Sequence, residues 1–400
     1  MTQPKEGTTA LAGVRVVEAG RYIAAPFCGI ILADLGAEVI KLEEPGRGDE
    51  TRNVAPYHDG ESIYFVAHNR NKGSITLDMR KPEANGIMKD IARNCDIFIE
   101  NFRPGVMQEM GVGYDELSKA NPALVFVSIS GFGQSGPYAS RPGFEQIAQA
   151  VGGMMHVTGF PENPPVLAGA FVGDYIGGLY GAIGALAALN QARATGKGQW
   201  VDAGLLDGVV SLLGYHMGVF KCTGQQWGRY GNTLHFSAPL GIYPTKEGYV
   251  YINVGADNLF RRFARTIGQP GLPDDERFKD RQARIKRRAE LDGIVSAWTS
   301  VRSADEVVKV LNDAALPCGP VNDLAGVAED PQVVARDLLL EVEQGSGVKM
   351  PVIGRALKMS ESPAHIGRAP VLGETNDEFY GNLLGYDAKK LAQLKELGVI

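Results

Sequence analysis

The sequence predicts an α/β protein whose larger part is a Rossmann-like parallel sheet, accompanied by a smaller α+β domain. Two observations predict this fold. In the first half of the 400 residues, short β-branched runs alternate with helical stretches, which is typical of strands joined by crossover helices in one parallel sheet. Apolar residues make up 44% of the chain and charged residues 22%, a balance found in globular proteins with a large buried core.

The elements of the predicted sheet follow one another as β-α-β units. Strands are recognised by β-branched residues and helices by apolar spacing that ends at glycine. In chain order they are a strand at 14–20, a helix at 28–37, a strand at 38–43, a strand at 73–79, a helix from Pro82 to Cys95, a strand at 96–102, a helix near 106–120 and a strand at 124–133.

The middle of the chain is more apolar. Tyr175 to Leu189 is predicted to be a buried core helix, because it is too short and too rich in glycine for a membrane span of about 20 residues. A turn at 195–199 leads into a second long apolar helix. No membrane association is therefore expected.

The composition changes near Thr223. A β-hairpin is predicted at 241–255, strands at 338–344 and 348–354, and a last helix from Asp387. Seven basic residues in 276–290 are interpreted as a solvated helix face. The predicted domains are a large domain at 1–224, a small domain at 225–325, and a segment at 326–400 that returns to the large domain.

Several classes of function are disfavoured. A net charge of −6 gives no electrostatic reason to expect nucleic acid. The four cysteines show no metal-ligand spacing, so we expect free thiols, no metal and a reducing compartment. The first ten residues lack the features of an export signal, which predicts the cytosol. No GxGxxG motif follows the first predicted strand, and GxxxxGK[ST] does not occur in the loops after the predicted strands.

Arginines follow or approach the predicted strand ends, where ligands bind in parallel sheets. A guanidinium group suits phosphate because its planar fork can bond two oxygens. Surface solubility is the alternative interpretation for each of them. The arginines are Arg21, Arg52, Arg70, Arg80, Arg103 and Arg141.

Asp174 is the one charged residue at the head of the apolar, glycine-rich stretch 169–189. It could be a helix N-cap, whose carboxylate accepts bonds from the free amides of the first turn. It could instead be a nucleophile that attacks an acyl carbonyl, with neighbouring glycines leaving space around it. The residues alone leave both interpretations open.

Seven stretches in order give the chain a resemblance to a known family over nearly its whole length. They are AAPFCGIILADLGAEVIKLEEPGRGDETR, NRNKGSITLDM, IENFRPGVMQEMGVGYDEL, ISGFGQSGPYASRPGFEQIAQAVGGMM, GDYIGGLYGAIGALAAL, ATGKGQWVDAGLLD and PCGPV. The chain resembles the class III CoA transferases, the family of formyl-CoA:oxalate and carnitine CoA transferases. The resemblance implies an interlocked homodimer and places the role of nucleophile on Asp174.

The resemblance also implies a reaction and a binding site. An acyl-CoA and a small carboxylic acid would exchange CoA through an aspartyl anhydride and an aspartyl-CoA thioester, without a permanently bound cofactor. The loop 131–143 is then a lid that excludes water, or merely a turn. The expected CoA contacts and residues near the reacting centre are Ile23, Ala24, Leu77, Arg80, Asn101, Phe102, Arg103, Arg141 and Glu145.

Departures from the family pattern bear on the substrate. Oxalate-specific relatives carry consecutive glycines where this chain has 229–241, and Gln where it has Ile23, which disfavours formyl-CoA:oxalate exchange. Succinyl-CoA and a short dicarboxylate are the leading expectation. The alternatives are an α-methylacyl-CoA racemase, disfavoured because Phe144 stands where its catalytic His would be, and a non-catalytic CoA-binding protein.

Overall fold

The fold is described from a computed structural model, over residues 9–363 and 365–400. It divides into two compact units. The larger unit lies within residues 1–154, 167–225 and 332–400, and the smaller one comprises 155–166 and 226–331. Compared with the predicted domains, the smaller unit also takes in residues 155–166 and 326–331.

The chain alternates between strands and helices. The strands are β1 (Arg15–Glu18), β2 (Glu38–Glu43), β3 (Tyr57–His58), β4 (Glu61–Ser62), β5 (Lys72–Thr76), β6 (Ile97–Glu100), β7 (Val125–Ser130), β8 (Trp200–Gly204), β9 (Leu240–Pro244), β10 (Tyr249–Asn253), β11 (Cys318–Pro320), β12 (Leu339–Glu343) and β13 (Lys349–Ile353). The α-helices are α1 (Ala24–Asp34), α2 (Ile63–Asn69), α3 (Ala84–Arg93), α4 (Val106–Glu109), α5 (Tyr114–Ala120), α6 (Glu145–Val151), α7 (Met154–Val157), α8 (Val172–Thr195), α9 (Leu205–Leu212), α10 (Gly214–Thr223), α11 (Asp257–Thr266), α12 (Arg281–Lys286), α13 (Arg288–Thr299), α14 (Ala304–Asp313), α15 (Leu324–Glu329), α16 (Pro331–Ala335) and α17 (Ala388–Glu396).

The larger unit is built on a six-stranded sheet in the order β5-β2-β1-β6-β7-β8. Every neighbouring pair in it is parallel. Val16 and Val17 are both fully buried, one in the core on each face of the sheet. Burial on both faces explains the nearly continuous apolar strands. The predicted α/β class with a parallel sheet is confirmed.

The segment after the turn at 195–199 differs from its prediction. Residues 200–204 were expected to be helical, which is wrong, because they form the edge strand β8 beside β7, with Trp200 opposite Phe126. The following apolar stretch is two helices, α9 and α10, instead of one. The predicted hairpin β9-β10, the predicted strands β12 and β13, which pair antiparallel, and the last helix, α17, are confirmed.

The apolar glycine-rich stretch is helix α8, whose 24 residues exceed the predicted span. By length and composition α8 could cross a membrane, a test that the core helix of a soluble protein also passes. Its small residues let it approach α1 closely. A Cβ at Gly178 would lie 2.7 Å from the carbonyl oxygen of Ala24. Gly178 is therefore required by the packing of α8 against α1.

The outer edge of β5 is covered by the segment 373–380, far along the chain. The Thr375 amide donates to the carbonyl of Ser74 at 3.0 Å. The side chain of Asn376 accepts from the amide of Thr76 at 2.8 Å, and the Tyr380 hydroxyl donates to the carbonyl of the same residue at 2.7 Å. These bonds occupy backbone groups that a sheet edge would otherwise leave unpaired.

The smaller unit has a three-stranded antiparallel sheet, β11-β10-β9, packed with helices around a core of its own. Arg284, within the basic run 276–290, is only 1% exposed. Its guanidinium donates to the carbonyls of Ala238 and Gly255, both at 2.9 Å. The interpretation of this run as a solvated face is therefore wrong for Arg284, whose donors satisfy buried carbonyls.

Candidate active site

Asp174 lines a cavity of about 440 Å³ in the larger unit, beyond the carboxyl ends of β1, β6 and β7. In parallel sheets this is where ligands bind. The walls come from the loops that follow these strands and from the first turns of α1, α6 and α8. They include Arg21, Tyr22, Ile23, Ala24, Tyr64, Asn101, Phe102, Ser130, Gly131, Gly143, Phe144, Glu145, Phe171 and Asp174.

Asp174 is the third residue of α8, and the N-cap position belongs to Phe171. The N-cap interpretation of Asp174 is therefore wrong. A carboxylate in the first turn still lies at the positive end of the helix dipole. Its side chain is half-buried and faces the cavity, so it is available to a ligand.

The surroundings of Asp174 oppose its ionisation. Burial, and to a smaller extent the nearby Glu145 carboxylate, raise the pKa of the carboxyl group to about 7. Two carboxyl groups that line one cavity cannot both be charged without a cost in free energy. The group thus changes charge near neutral pH, although it lies in the first turn of α8 at the positive end of the helix dipole.

Glu145 is the first residue of α6 and is buried. Its Oε1 accepts from the amide of Gly173 at 3.2 Å and from the side-chain amide of Gln149. Within the described chain its Oε2 is buried without a hydrogen-bond partner. One oxygen is thus fixed against the start of α8, and the other lies buried beside the cavity with its hydrogen-bonding capacity unused among the described residues.

Tyr64 also lines the cavity, although the sequence analysis did not single it out. Burial raises the pKa of its hydroxyl group, and the charge of Asp174 raises it further. The hydroxyl group therefore keeps its proton at neutral pH and can donate to a bound ligand. It lies on α2, inserted between β4 and β5, and no local motif marks it.

The predicted CoA contacts lie along three neighbouring cavities that all include Phe102. Ile23, Ala24, Asn101 and Glu145 line the cavity of Asp174. Leu77 and Arg80 line a second cavity of about 90 Å³, and Arg103 and Arg141 a third of about 120 Å³. The structure therefore brings all the predicted CoA contacts to one edge of the sheet, whereas Arg52 and Arg70 line none of these cavities and pair with Glu43 and Asp34.

Their side chains are not equally available. Asn101 bonds the backbone of Arg21, its Oδ1 accepting from the amide and its Nδ2 donating to the carbonyl, each at 2.8 Å. Arg80 donates to Asp78 at 2.8 Å and to Glu44 at 2.5 Å. A phosphate near Arg80 must therefore compete with two carboxylates.

The two arginines of the third cavity are exposed. The guanidinium of Arg141 stacks on the ring of Tyr138, 3.7 Å from its centroid. This contact leaves its edge free to bond an anion.

The loop 131–143 closes on itself at its base. A Cβ at Gly131 would lie 2.9 Å from the Cα of Gly143, so both ends of the loop need a glycine. The amide of Gln134 donates to Asp202 at 2.9 Å, which ties the loop to β8. Whether the loop moves as a lid stays a prediction.

All four cysteines are unpaired, as predicted, with Cys28 and Cys95 buried. Among residues 9–363 and 365–400, no group of three His, Cys, Asp or Glu side chains is arranged to hold a metal ion.

Comparisons with known proteins agree with one another. Residues 11–376 match the model of CoA-transferase family III. A succinyl-CoA–D-citramalate CoA-transferase of Chloroflexus aurantiacus is 39% identical over 98% of each chain. The succinyl-CoA:glutarate CoA-transferase of Homo sapiens is 34% identical over 98% of this chain and 90% of its own. A CAIB/BAIF family protein from Brucella suis superposes with a TM-score of 0.85 at 34% identity, covering 94% of this chain and 100% of its own.

Proposed function

The chain belongs to CoA-transferase family III, and on that premise we propose that it moves coenzyme A from succinyl-CoA to a short dicarboxylic acid through Asp174. It is an enzyme, a transferase with acyl-CoA as substrate. The observation that carries the role of Asp174 is its half-buried carboxyl group in the cavity at the strand ends, beside the predicted CoA contacts.

The proposed reaction has two exchanges at Asp174. The carboxylate attacks the thioester carbonyl of the donor, the C–S bond breaks, and an acyl-aspartyl anhydride forms as CoA thiolate leaves. The thiolate then attacks the aspartyl carbonyl, which releases the donor acid and leaves an aspartyl-CoA thioester. The acceptor carboxylate then attacks the aspartyl-CoA thioester and forms a second anhydride as CoA thiolate leaves. The thiolate attacks the acceptor's acyl carbonyl, which releases the new acyl-CoA and the free Asp174 carboxylate. The activation of the acyl group is therefore conserved throughout.

The proposed substrate pair is supported by relatives named for it. Succinyl-CoA is the donor in the names of the citramalate, malate and glutarate transferases, which are 34–39% identical to this chain. Each acceptor in these names is a dicarboxylic acid. Incubation with succinyl-CoA and a panel of acids should yield new thioesters for short dicarboxylates. A panel without any new thioester would contradict the proposal.

The racemase alternative requires a second base. Among the described residues that line the cavity of Asp174 there is no histidine, and Phe144 is largely exposed there. Exchange of α-hydrogen for deuterium in a branched acyl-CoA, without transfer, would favour the racemase. A protein that binds CoA but changes no thioester would be the non-catalytic alternative.

The rate of transfer is expected to depend on pH through Asp174. Its pKa is about 7 because of burial, and only the ionised carboxylate is a nucleophile. We therefore expect kcat/KM to rise with pH to a plateau, with a midpoint near 7 and a tenfold loss per pH unit well below it. Initial rates over a pH series check this. A rate that is flat between about pH 5.5 and 8.5 would contradict it.

Arg80 and Arg103 are proposed to bind phosphate groups of CoA, since both are exposed and lie after strands β5 and β6. Replacing either by Ala should weaken CoA binding about 5- to 100-fold, the usual worth of a charged hydrogen bond. Arg93→Ala, in the same unit and paired with Asp90 on the surface, is the control. Titration calorimetry with CoA measures the effect. Unchanged affinity in both variants would show that these arginines do not bind CoA and favour the alternative interpretation, surface solubility.

A homodimer is proposed, with interlocked chains as the resemblance implies. Helix α10 has no buried residue in the single chain, and apolar side chains such as Ile183 and Tyr215 are largely exposed. Apolar surface of this kind marks an interface. We expect light scattering to give a dimer that persists on dilution to nanomolar protein, because interlocked chains separate only by unfolding in part. A monomer at micromolar concentration would contradict it.

The enzyme is proposed to work in the cytosol, without a permanently bound cofactor, a metal ion, nucleic acid or a membrane.

A further inference from the structure

The cavity of Asp174 has a charge pattern that does not suit its substrates without a cation. Its described lining includes two carboxyl groups, those of Glu145 and Asp174, and one basic side chain, that of Arg21. Acyl-CoA and a dicarboxylate are both anionic. A site with two acids repels such ligands unless a cation offsets the repulsion.

Arg21 stands where two cavities meet. It lines both the cavity of Asp174 and the smaller one that contains Arg80, and the ring of Phe102 beneath it also lines both. The guanidinium carbon is 5.7 Å from the centroid of that ring. A ligand that extends from Arg80 to Asp174 therefore passes Arg21.

The backbone at Gly20 and Arg21 is held by hydrogen bonds from side chains. Lys41, buried in the sheet, donates to the carbonyl of Gly20 at 2.8 Å. Asn101 bonds both backbone polar groups of Arg21. Tyr22 has a φ of 63°, a conformation that an aromatic residue rarely adopts. Such strain persists only where the surroundings enforce it, and it is concentrated at functional sites.

The side chain of Arg21 is less constrained than its backbone. Its Nη1 donates to Glu50 at 3.2 Å, and the side chain is 43% exposed. The second carboxylate oxygen of Glu50 accepts from the hydroxyl of Tyr22. A guanidinium carries five N–H donors, so most of its donors remain available for an anion beside the cavity.

We propose that Arg21 binds an anionic group of the substrates at the junction of the two cavities, where that group competes with Glu50 for the guanidinium. The group is the diphosphate of CoA or the free carboxylate of the dicarboxylic acid. Both present paired oxygens that suit a guanidinium fork. This inference rests on the proposed function and adds a residue that binds substrate.

The test compares Arg21→Gln with wild type on matched ligands. Binding of CoA and of pantetheine, which lacks the phosphates, is measured by titration calorimetry. KM is measured for glutarate and for valerate, an acid of the same length with one carboxylate. Arg93→Gln, a surface arginine paired with Asp90 in the same unit, is the control and should change none of these values.

We expect Arg21→Gln to weaken the binding of its anionic group about 10- to 100-fold. A loss for CoA but not pantetheine identifies the diphosphate, and a rise in KM for glutarate but not valerate identifies the carboxylate. Either outcome supports the proposal. Equal losses for CoA and pantetheine would show that Arg21 only supports the loop, and no loss for any ligand would show that it binds no anion. Both overturn the proposal.

Glu50→Gln provides an independent test if Arg21→Gln melts at a much lower temperature than wild type. It removes the charge that competes for Arg21, so the same anion should bind a few-fold more tightly. Unchanged or weaker binding would overturn the inference. Wild-type protein that bound no CoA would contradict the proposed function as well, whereas binding by wild type that is equal in the variants contradicts only the role of Arg21.

Discussion

Asp174→Asn is expected to abolish CoA transfer, with a loss of at least about 1,000-fold in kcat. An amide has nearly the shape of a carboxylate but cannot form an anhydride with the acyl group. Initial rates of succinyl-CoA consumption with a dicarboxylate acceptor measure the loss. The same variant should still bind CoA, because the proposed phosphate contacts are untouched.

The structure provides a matched control for this substitution. Asp207 is the third residue of α9, as Asp174 is of α8, and burial raises the pKa of its carboxyl group too. It does not line the cavity of Asp174 among the described residues. Asp207→Asn should therefore retain activity. If both variants were equally impaired, the loss would come from a change at helix termini.

Measurements of stability distinguish the loss of the nucleophile in Asp174→Asn from damage to the fold. The pKa of Asp174 is about 7 when folded and 3.8 as its ordinary value, so the folded state holds the proton more tightly and ionisation destabilises it at high pH. The free energy of unfolding of the Asn variant should exceed that of wild type by about 1–4 kcal/mol at pH 8, and the two should be equal below pH 4. Melting curves at both values measure this gain.

Chemical trapping locates the intermediate. Hydroxylamine added during turnover should convert the acylated carboxyl group to a hydroxamate, which mass spectrometry assigns to the peptide with Asp174. An active Asn variant, or a hydroxamate on Glu145, would show that another carboxylate is the nucleophile.

Glu18→Gln is expected to lower the free energy of unfolding by about 3–5 kcal/mol. Glu18 accepts from Lys72 at 2.7 Å and from Lys41 at 3.4 Å, and all three side chains are fully buried. Lys41 has a second partner in Asp49, at 2.7 Å, whereas Glu18 is the carboxylate paired with Lys72. Removing the charge leaves a buried ammonium group without its counter-ion.

Glu38→Gln is the control for this prediction. Glu38 pairs with Arg15 at 2.8 Å, but its side chain is 56% exposed, so the pair should be worth at most about 1 kcal/mol. Urea unfolding of both variants at pH 7 measures the difference. Equal losses would mean that the buried cluster contributes no more than a surface ion pair.

The sequence was sufficient for the parallel sheet but not for its last strand. Runs with β-branched residues, such as 38–43, predict strands from the sequence alone, since these residues are enriched in strands. Residues 200–204 do not predict a strand in this way, because they are only partly buried and the apolar stretch that follows them in the chain is helical. They become a strand through pairing with β7, a long-range contact that local pattern cannot express.

The same limit applies to the candidate site. A short motif marks Asp174, but the role of Asn101 depends on its bonds to Arg21, 80 residues earlier. Tyr64 reaches the cavity from an insertion between two strands, and Tyr22 gains its unusual φ from its neighbours. These placements arise from tertiary contacts, which the order of residue types along the chain does not encode locally.

The cover over β5 has a consequence for synthesis on the ribosome. Strand β5 emerges early, whereas Thr375, Asn376 and Tyr380, which occupy its outer edge, are translated near the end. A nascent chain therefore carries an open β-edge for most of its elongation. Open edges recruit other strands, including those of neighbouring nascent chains on the same messenger. Dependence on chaperones should accordingly be greatest during translation and fall once residues 373–380 have left the exit tunnel.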